Sequence, residues 1–447
     1  MNRITFFSMA MALAPLAGMA QEQGDAPVVE EKEHFFTLSG QLRPRFEYRN
    51  GAYQALQEGE EPAILVNNRL RLNMDYRFRQ DLQLYVSLQH VNIWGQAPQV
   101  QVIDRTGGLS VFEAYAALPL GGGFDLKLGR QQIVLDEDRI FGSLDWHPAG
   151  RAHDAVNINW RPVENFYLRS FFAFNQNYLD GKAATDKING NVNNPKGQYF
   201  TPGQPYQHME ALHAHYAFTP EQQLSFLFAN LGLRNNDKAD YNMQTFGVHY
   251  RGRSESLSYG AEAYLQTGKN NTGATKEAYL LAAMVGYKFL PSLSATMGID
   301  YLSGNNTTDS PDKDKVFTPF SGTNHKFYGF MDHFYVSYSP SVGLLNPYLN
   351  LNLKTSDKGS LSATGHYFRS AGKILGSEDN KTRHLGVEGD LVYTHKIQQY
   401  VSLQAGYSLF IPSDSYKSLR SLRNVRKQQD WLWCSLNINP KLFSAKF

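Results

Sequence analysis

The sequence predicts an all-β protein: a single transmembrane antiparallel β-barrel of about 18 strands (bounds 16 to 20), with long extracellular loops and short periplasmic turns. Three observations predict it. From Phe36 onward apolar and polar residues alternate with period two, for example Asn67, Arg69, Arg71, Asn73, Asp75, Arg77 and Arg79 against Asn68, Leu70, Leu72, Met74, Tyr76 and Phe78. The alternating segments run for about 10 to 15 residues, longer than the roughly 5–6 of soluble strands and long enough for the roughly 9–11 that a tilted membrane strand needs. Aromatic residues gather at segment ends (Tyr48, Tyr76, Phe78, Trp94, Trp160, Phe218, Tyr250, Tyr287, Phe289), as interfacial girdles require.

The chain divides into a signal peptide, a flexible lead-in and the barrel. Residues 1–20 combine Arg3, the apolar stretch Ile4 to Ala17 and the small-x-small site Gly18-Met19-Ala20, which reads as a cleaved secretory signal. The stretch is too short for a membrane anchor, which needs about 20 apolar residues. Residues 21–34 are acidic (Glu30, Glu31, Glu33) and read as a periplasmic lead-in, with the barrel from 35 to 447. Eighteen segments follow: 35–49, 66–78, 82–95, 110–118, 124–135, 153–161, 165–176, 208–218, 222–234, 242–251, 256–267, 277–288, 292–303, 347–355, 360–369, 382–395, 399–411 and 430–442. Short links such as Gln80-Asp81, Pro162 to Glu164, Thr219 to Glu221 and Leu290-Pro291 alternate with long polar ones such as Asn177 to Gln207 and Pro412 to Gln429. That alternation puts both termini in the periplasm and makes the count even.

Three places strain the pattern. Asp332 to Tyr338 looks like a nineteenth strand but breaks the alternation of links, so it is assigned to a long external loop from Gly304 to Asn346, open to folding into the lumen. Pro44 lies inside the first strand, where a closed barrel leaves no free edge, and a bulge is expected there. Pro440 raises the same objection in the last strand.

The polar face has to point inward, because Arg or Lys facing lipid at the midplane costs roughly 2–4 kcal/mol. The first two strands thereby direct Arg43, Arg45, Arg49, Arg69, Arg71, Arg77 and Arg79 into the lumen, against Glu47 and Asp75. Later strands add Glu113, Asp125, Lys127, Arg161, Arg169, Arg251, Glu262, Asp300, Lys354, Glu388 and Asp390. Two readings stay open: arginines and acids that brace a wide barrel, or unpaired arginines that form a path for an anionic solute. The excess of seven arginines over two acids in the first two strands favours the path.

Composition narrows the other classes. A formal net charge of +2 carries no global basic field, so no nucleic-acid partner is expected. Cys434 is the only cysteine, so no internal disulfide forms. An enzyme is the main rival class: His208, Glu210, His213 and His215 lie on one strand and His325 and His333 in the long loop, but an alternating lumen gathers such residues anyway. No nucleophile with an orienting partner stands out, and no metal or cofactor is expected; Asp309, Asp312 and Asp314 read as a solvated loop rather than a calcium site.

The stretches Leu128-Gly129-Arg130-Gln131, Asp138-Arg139-Ile140-Phe141-Gly142-Ser143-Leu144-Asp145-Trp146, Gly150-Arg151 and Asp154-Ala155-Val156 resemble the signature of the alginate-export outer-membrane porins. The run Arg43, Arg45, Glu47, Arg49 and the run Asn68 to Leu72 are similar to that family's opening strands. The resemblance covers the whole mature chain and implies an eighteen-stranded monomeric barrel in the bacterial outer membrane. It also implies an electropositive constriction for a polyuronate. By position that role passes to Arg43, Arg45, Arg69, Arg71, Arg130 and Arg151, with Glu47 as balancing acid, while Arg139 and Asp145 hold the following external loop. Simple alternation from Lys127 points Arg130 towards lipid, so its lumenal role requires a bulge or the strand's end. The expected pore-lining set is therefore Arg43, Arg45, Glu47, Arg49, Arg69, Arg71, Asp75, Arg77, Lys127, Arg130 and Arg151.

The expected function is diffusion of an anionic or polyhydroxylated solute (polyuronate, oligosaccharide or small organic acid), with no cofactor. The alternatives are a barrel enzyme of lipase or protease type and a structural or adhesive barrel without transport. The expected partners are outer-membrane lipid, the solute, and the barrel-assembly machinery through a C-terminal strand that carries Phe443 and Phe447.

Overall fold

A computed structural model describes residues 33–79, 81–97, 99, 108–175, 206–234, 240–334, 341–374 and 383–447. The proposed signal peptide, most of the lead-in, most of the loop from Asn177 to Gln207, and residues 335–338 of the nineteenth-strand candidate lie outside them.

Alternation and aromatic ends produce the predicted element, a long antiparallel strand, eighteen times. The strands are β1 (His34–Asn50), β2 (Ala63–Phe78), β3 (Leu82–Ile93), β4 (Leu109–Gly121), β5 (Phe124–Gln131), β6 (His153–Val163), β7 (Phe166–Phe174), β8 (His208–Thr219) and β9 (Gln222–Arg234). They continue with β10 (Asp240–Arg253), β11 (Leu257–Gly268), β12 (Ala278–Leu290), β13 (Leu293–Leu302), β14 (Leu344–Lys354), β15 (Gly359–Arg369), β16 (His384–Gln398) and β17 (Val401–Pro412). The last, β18, runs over Gln429–Ile438 and resumes at Lys441–Lys446. Each strand pairs with its neighbours in sequence, and β18 pairs back onto β1, so the sheet closes and leaves no edge.

The two prolines are accommodated differently from expectation. No bulge forms at Pro44: the β1–β2 register is continuous from His34↔Phe78 to Arg49↔Ala63, with Pro44 opposite Asn68. On its other side, the ladder to β18 passes from Leu42↔Ile438 to Arg45↔Ser435, skipping Arg43 and Pro44 without a shift. The irregularity falls instead beside Pro440, where the register shifts between Leu38 and Ser39 and Gly40 N donates to Pro440 O at 3.1 Å. Proline has no N–H for the ladder, so the strand is interrupted at Asn439-Pro440 and resumes.

The outer face is apolar, with Leu70, Leu128, Phe226, Leu281, Met297 and Leu351 all exposed to the lipid side. Aromatic pairs mark the ends of the strands near the short turns: Phe124 with Trp160, Tyr216 with Phe218, Tyr250 with Tyr259, and Tyr287 with Phe289. No helix of the described residues is long and apolar enough to cross a membrane, which leaves the crossing to the strands.

The packed core lies inside the barrel. β5 ends at Gln131, earlier than the alternation suggested, and residues 132–152 turn into the lumen. Residues 303–334 of the long connection between β13 and β14 also fold inward, where Phe317, Tyr328, Met331 and Phe334 are buried. The two loops form one unit. Gly142 N donates to Ser321 O at 2.9 Å and Thr323 N to Asp138 O at 2.9 Å; Leu144 N donates to Thr323 Oγ1 at 3.1 Å. Phe141 packs edge-on against Phe320 at 5.4 Å.

Candidate functional site

β1 and β2 pair directly, so their inward residues form one patch: Arg43 stands opposite Arg69, and Gln41 opposite Arg71. Side chains of one sign so close repel unless acceptors lie between them. The loop 132–152 supplies the acceptors. Asp145 meets three guanidinium groups: Arg43 Nη1 at 3.3 Å, Arg69 Nη1 at 2.8 Å and Arg71 Nη1 at 3.1 Å. Successive carbonyls complete the contact. Arg43 donates to Asp145 O at 2.7 Å and His147 O at 3.3 Å, and Arg45 to Trp146 O at 2.8 Å. Arg69 reaches Pro148 O at 3.5 Å and Arg71 reaches Ala149 O at 3.2 Å.

Partial desolvation disfavours the charge on half-exposed Asp145, but Arg69, Arg43 and Arg71 outweigh it and hold the carboxyl below its ordinary value. His147 is pushed the other way, towards neutrality, by burial and by Arg45 and Arg43. Two left-handed residues of the loop, Leu144 (φ 49°) and Gly150 (φ 72°), flank this contact segment. A Cβ at Gly150 would stand 2.7 Å from Arg71 Nη2 and 2.9 Å from the Phe112 ring, so only glycine fits both the backbone and the space.

Above this contact, Glu47 is fully buried and takes Arg45 Nε at 2.9 Å and Arg49 Nε at 2.8 Å. It also accepts from Asn67 Nδ2 and from Trp431 Nε1 at 3.1 Å. Arg45 lies over the Trp146 ring at 4.2 Å, and the other layers continue through His325 (4.4 Å) and Phe330 (4.7 Å). A cation and three stacked rings thus tie the barrel wall to both inward loops.

Cavities lie on either side. One of about 650 Å³ opens beside Arg49, Tyr53, Asn92, Trp146, His147 and Asp332. Another of about 310 Å³ lies against the opposite wall, among Glu262, Asp300, Tyr348, Asn350, Lys326 and His366.

The remaining expected residues fall into distinct roles. Asp75 and Arg77 pair at 2.9 Å towards the β2–β3 turn, where Arg77 is exposed. Lys127 points inward and sits 3.7 Å over the Tyr115 ring. Arg130 does not reach the lumen. It shares its face with lipid-exposed Leu128 and pairs with Asp154 across the ladder at 2.9 Å, so the simple alternation is right and the required bulge is absent. Arg151 faces the loops rather than a passage: its Nη1 donates to Ser321 O and, at 3.0 Å, to Gly322 O.

Arg139 is buried and holds the loop to the far wall through Asp300 at 2.9 Å and Glu262 at 3.2 Å, and to the second inward loop through Tyr328 Oη at 3.2 Å and Phe327, which lies under its plane at 3.8 Å. Of the strand histidines, His213 serves the same end. His213 Nε2 lies 3.1 Å from both oxygens of Asp136, at the loop's start. His215 meets Ser225 Oγ at 2.9 Å, and His325 meets Asp332 at 2.9 Å.

Alternation could not reveal the contributions of Asp136, Trp146, Thr323 and Tyr328, because they sit on loops without a period. The one signal in the sequence is the stretch from Asp138 to Trp146, which resembles the alginate-export signature yet does not alternate as a strand does.

A profile of the family described as Alginate export matches residues 35–424. The chain belongs to the alginate export family. This alginate-export barrel is therefore a bacterial outer-membrane channel for solutes, and its role is transport rather than catalysis. Its fold is shared with solved Pseudomonas aeruginosa proteins. OpdL has a TM-score of 0.60 at 12% identity, covering 91% of this chain and 99% of that one. For OprD the score is 0.59 at 10% identity, covering 91% and 94%. Acinetobacter baumannii OccAB4 scores 0.58 at 11% identity, covering 93% and 98%. At such identities the likeness is one of fold. No curated protein sequence matches this alginate-export chain.

Proposed function

We propose that the channel passes anionic or polyhydroxylated solutes (a polyuronate, an oligosaccharide or a small organic acid) by diffusion along the arginine patch of β1 and β2. One observation carries this reading. Arg43, Arg45, Arg49, Arg69 and Arg71 converge on one side of the lumen, and among the described residues the carboxylates in direct contact with them are Glu47 and Asp145. Such an excess attracts anions into a narrow, partly desolvated passage, and guanidinium forks recognise carboxylates in particular. The family's description names a polyanion, alginate, and one structural neighbour, OpdK, was solved with vanillate, a carboxylate. Both support a carboxylate solute here.

In this proposal Asp75, Arg77 and Lys127 extend the charged lining, while Arg130 and Arg151 lie outside the path. A monomeric barrel belongs to the same proposal, and the outward Phe443 and Phe447 support delivery to the barrel-assembly machinery through the last strand. Cleavage after Ala20, a lead-in over 21–34 and the barrel from 35 to 447 belong to the same proposal.

The test is solute block in planar bilayers. Trigalacturonate should reduce single-channel current at concentrations where maltotriose, of equal ring number but uncharged, does not. Equal block by both sugars would remove carboxylate recognition from the account.

A further inference from the structure

The segment Asp145–Ala149 makes contacts of the kind an extended anionic ligand would make. One carboxylate and five successive backbone carbonyls take hydrogen bonds from Arg43, Arg45, Arg69 and Arg71. Arg45 and Arg69 are almost completely shielded by this contact, so a passing solute cannot meet them while the segment is seated.

The fit of the segment is nevertheless incomplete. Arg45 Nη2 and Trp146 Nε1 are buried donors without an acceptor among the described residues. A buried donor left unmade costs roughly 1–3 kcal/mol. Arg45 Nη2 belongs to the wall, which thus offers a donor that the segment leaves unused and that a ligand richer in oxygens would satisfy, whereas Trp146 Nε1 belongs to the segment and is released with it.

We propose that Asp145–Ala149 is a resident occupant of the arginine site, which the transported anion displaces, and that Asp145 sets how anionic the replacement must be. This rests on the reading of the arginine patch as the solute path. The ligand chemistry is a chain of closely spaced oxygens with at least one carboxylate, whether from an acidic sugar or a small organic acid. The ends of the segment allow local movement. Leu144 and Gly150 supply left-handed joints on either side, whereas Arg139 and Arg151, beyond those joints, keep the rest of the loop fixed. Displacement therefore needs the five residues to lift from the wall, with no opening of the barrel or of the joined loops.

The experiment reads the accessibility of Ala149→Cys, placed in a Cys434→Ser background because Cys434 is exposed. A small charged thiol reagent is added from outside to the full-length protein in liposomes. Saturating trigalacturonate should raise the modification rate severalfold, and citrate in a second arm shows whether a non-sugar acid suffices. Asp145→Asn, combined with Ala149→Cys, should label rapidly with no ligand present, because the segment has lost its charged hold. An unchanged or lowered rate under trigalacturonate that still blocks current would overturn the displacement proposal and leave the arginine path standing. A rate unchanged by an acid that also fails to block current would overturn both.

Discussion

Replacing Arg69 and Arg71 together by glutamine lowers the anion-to-cation permeability ratio by about tenfold. The estimate follows from charge alone. At roughly 6 Å in water-like surroundings, a unit charge is worth about 0.7 kcal/mol to a passing ion. Salt screening roughly halves this at that distance, so losing two such charges disfavours the anion and favours the cation by about 0.7 kcal/mol each, a change of about 1.4 kcal/mol in the balance between them and a factor of about ten in relative permeability. Asp145 and Glu47 remain, with Arg43 as the one guanidinium still on Asp145, so the passage moves towards cation preference. The strand ladders do not depend on either guanidinium, and the variant should insert normally. Zero-current potentials of native and variant channels provide the check. An unchanged ratio in a folded variant would mean that the arginines brace the wall and do not select.

Arg139→Met frees the inward loops without opening the barrel. Its guanidinium sits between Asp300 and Glu262, which are themselves buried, and removing one partner from such an arrangement costs roughly 3–5 kcal/mol. That cost falls on the attachment of the loop, since Arg139 lies at its centre and makes no strand pairing. The expected result is a noisier channel of higher conductance, with new protease cleavage inside residues 132–152 and a barrel that still unfolds cooperatively. Adding Glu262→Gln and Asp300→Asn removes the stranded charges and should restore much of the loop's order. Native-like conductance and protease resistance in Arg139→Met alone would show that the other contacts suffice to hold the loop.

The barrel was legible because its physics is periodic. Polar residues must face the lumen and apolar ones the lipid, and that rule places Arg69, Arg71 and Lys127 correctly without any knowledge of their neighbours. It also puts Arg130 on the outside, where Asp154 pairs with it; carrying a lumenal role over from family resemblance misled at that residue. Pro44 shows a second limit. Its ladder on one side simply omits two pairs, so no bulge is needed, while Pro440 requires the shift. The inward loops were not legible beyond their existence. Asp145 reads as a loop anchor in the sequence, yet its partners come from β1 and β2, about a hundred residues away in the chain. Arg151 looked like a pore residue for the same reason, because only the fold shows that the carbonyls of Ser321 and Gly322 lie against it.

The central claim is that positive charge on one side of the lumen selects the solute. The measurement that tests it most directly is the zero-current potential of the native channel across a KCl gradient at neutral pH. The account predicts a potential whose sign reports chloride as the more permeant ion, collapsing when Arg69 and Arg71 are replaced. A potential of the opposite sign, insensitive to those replacements, would contradict it.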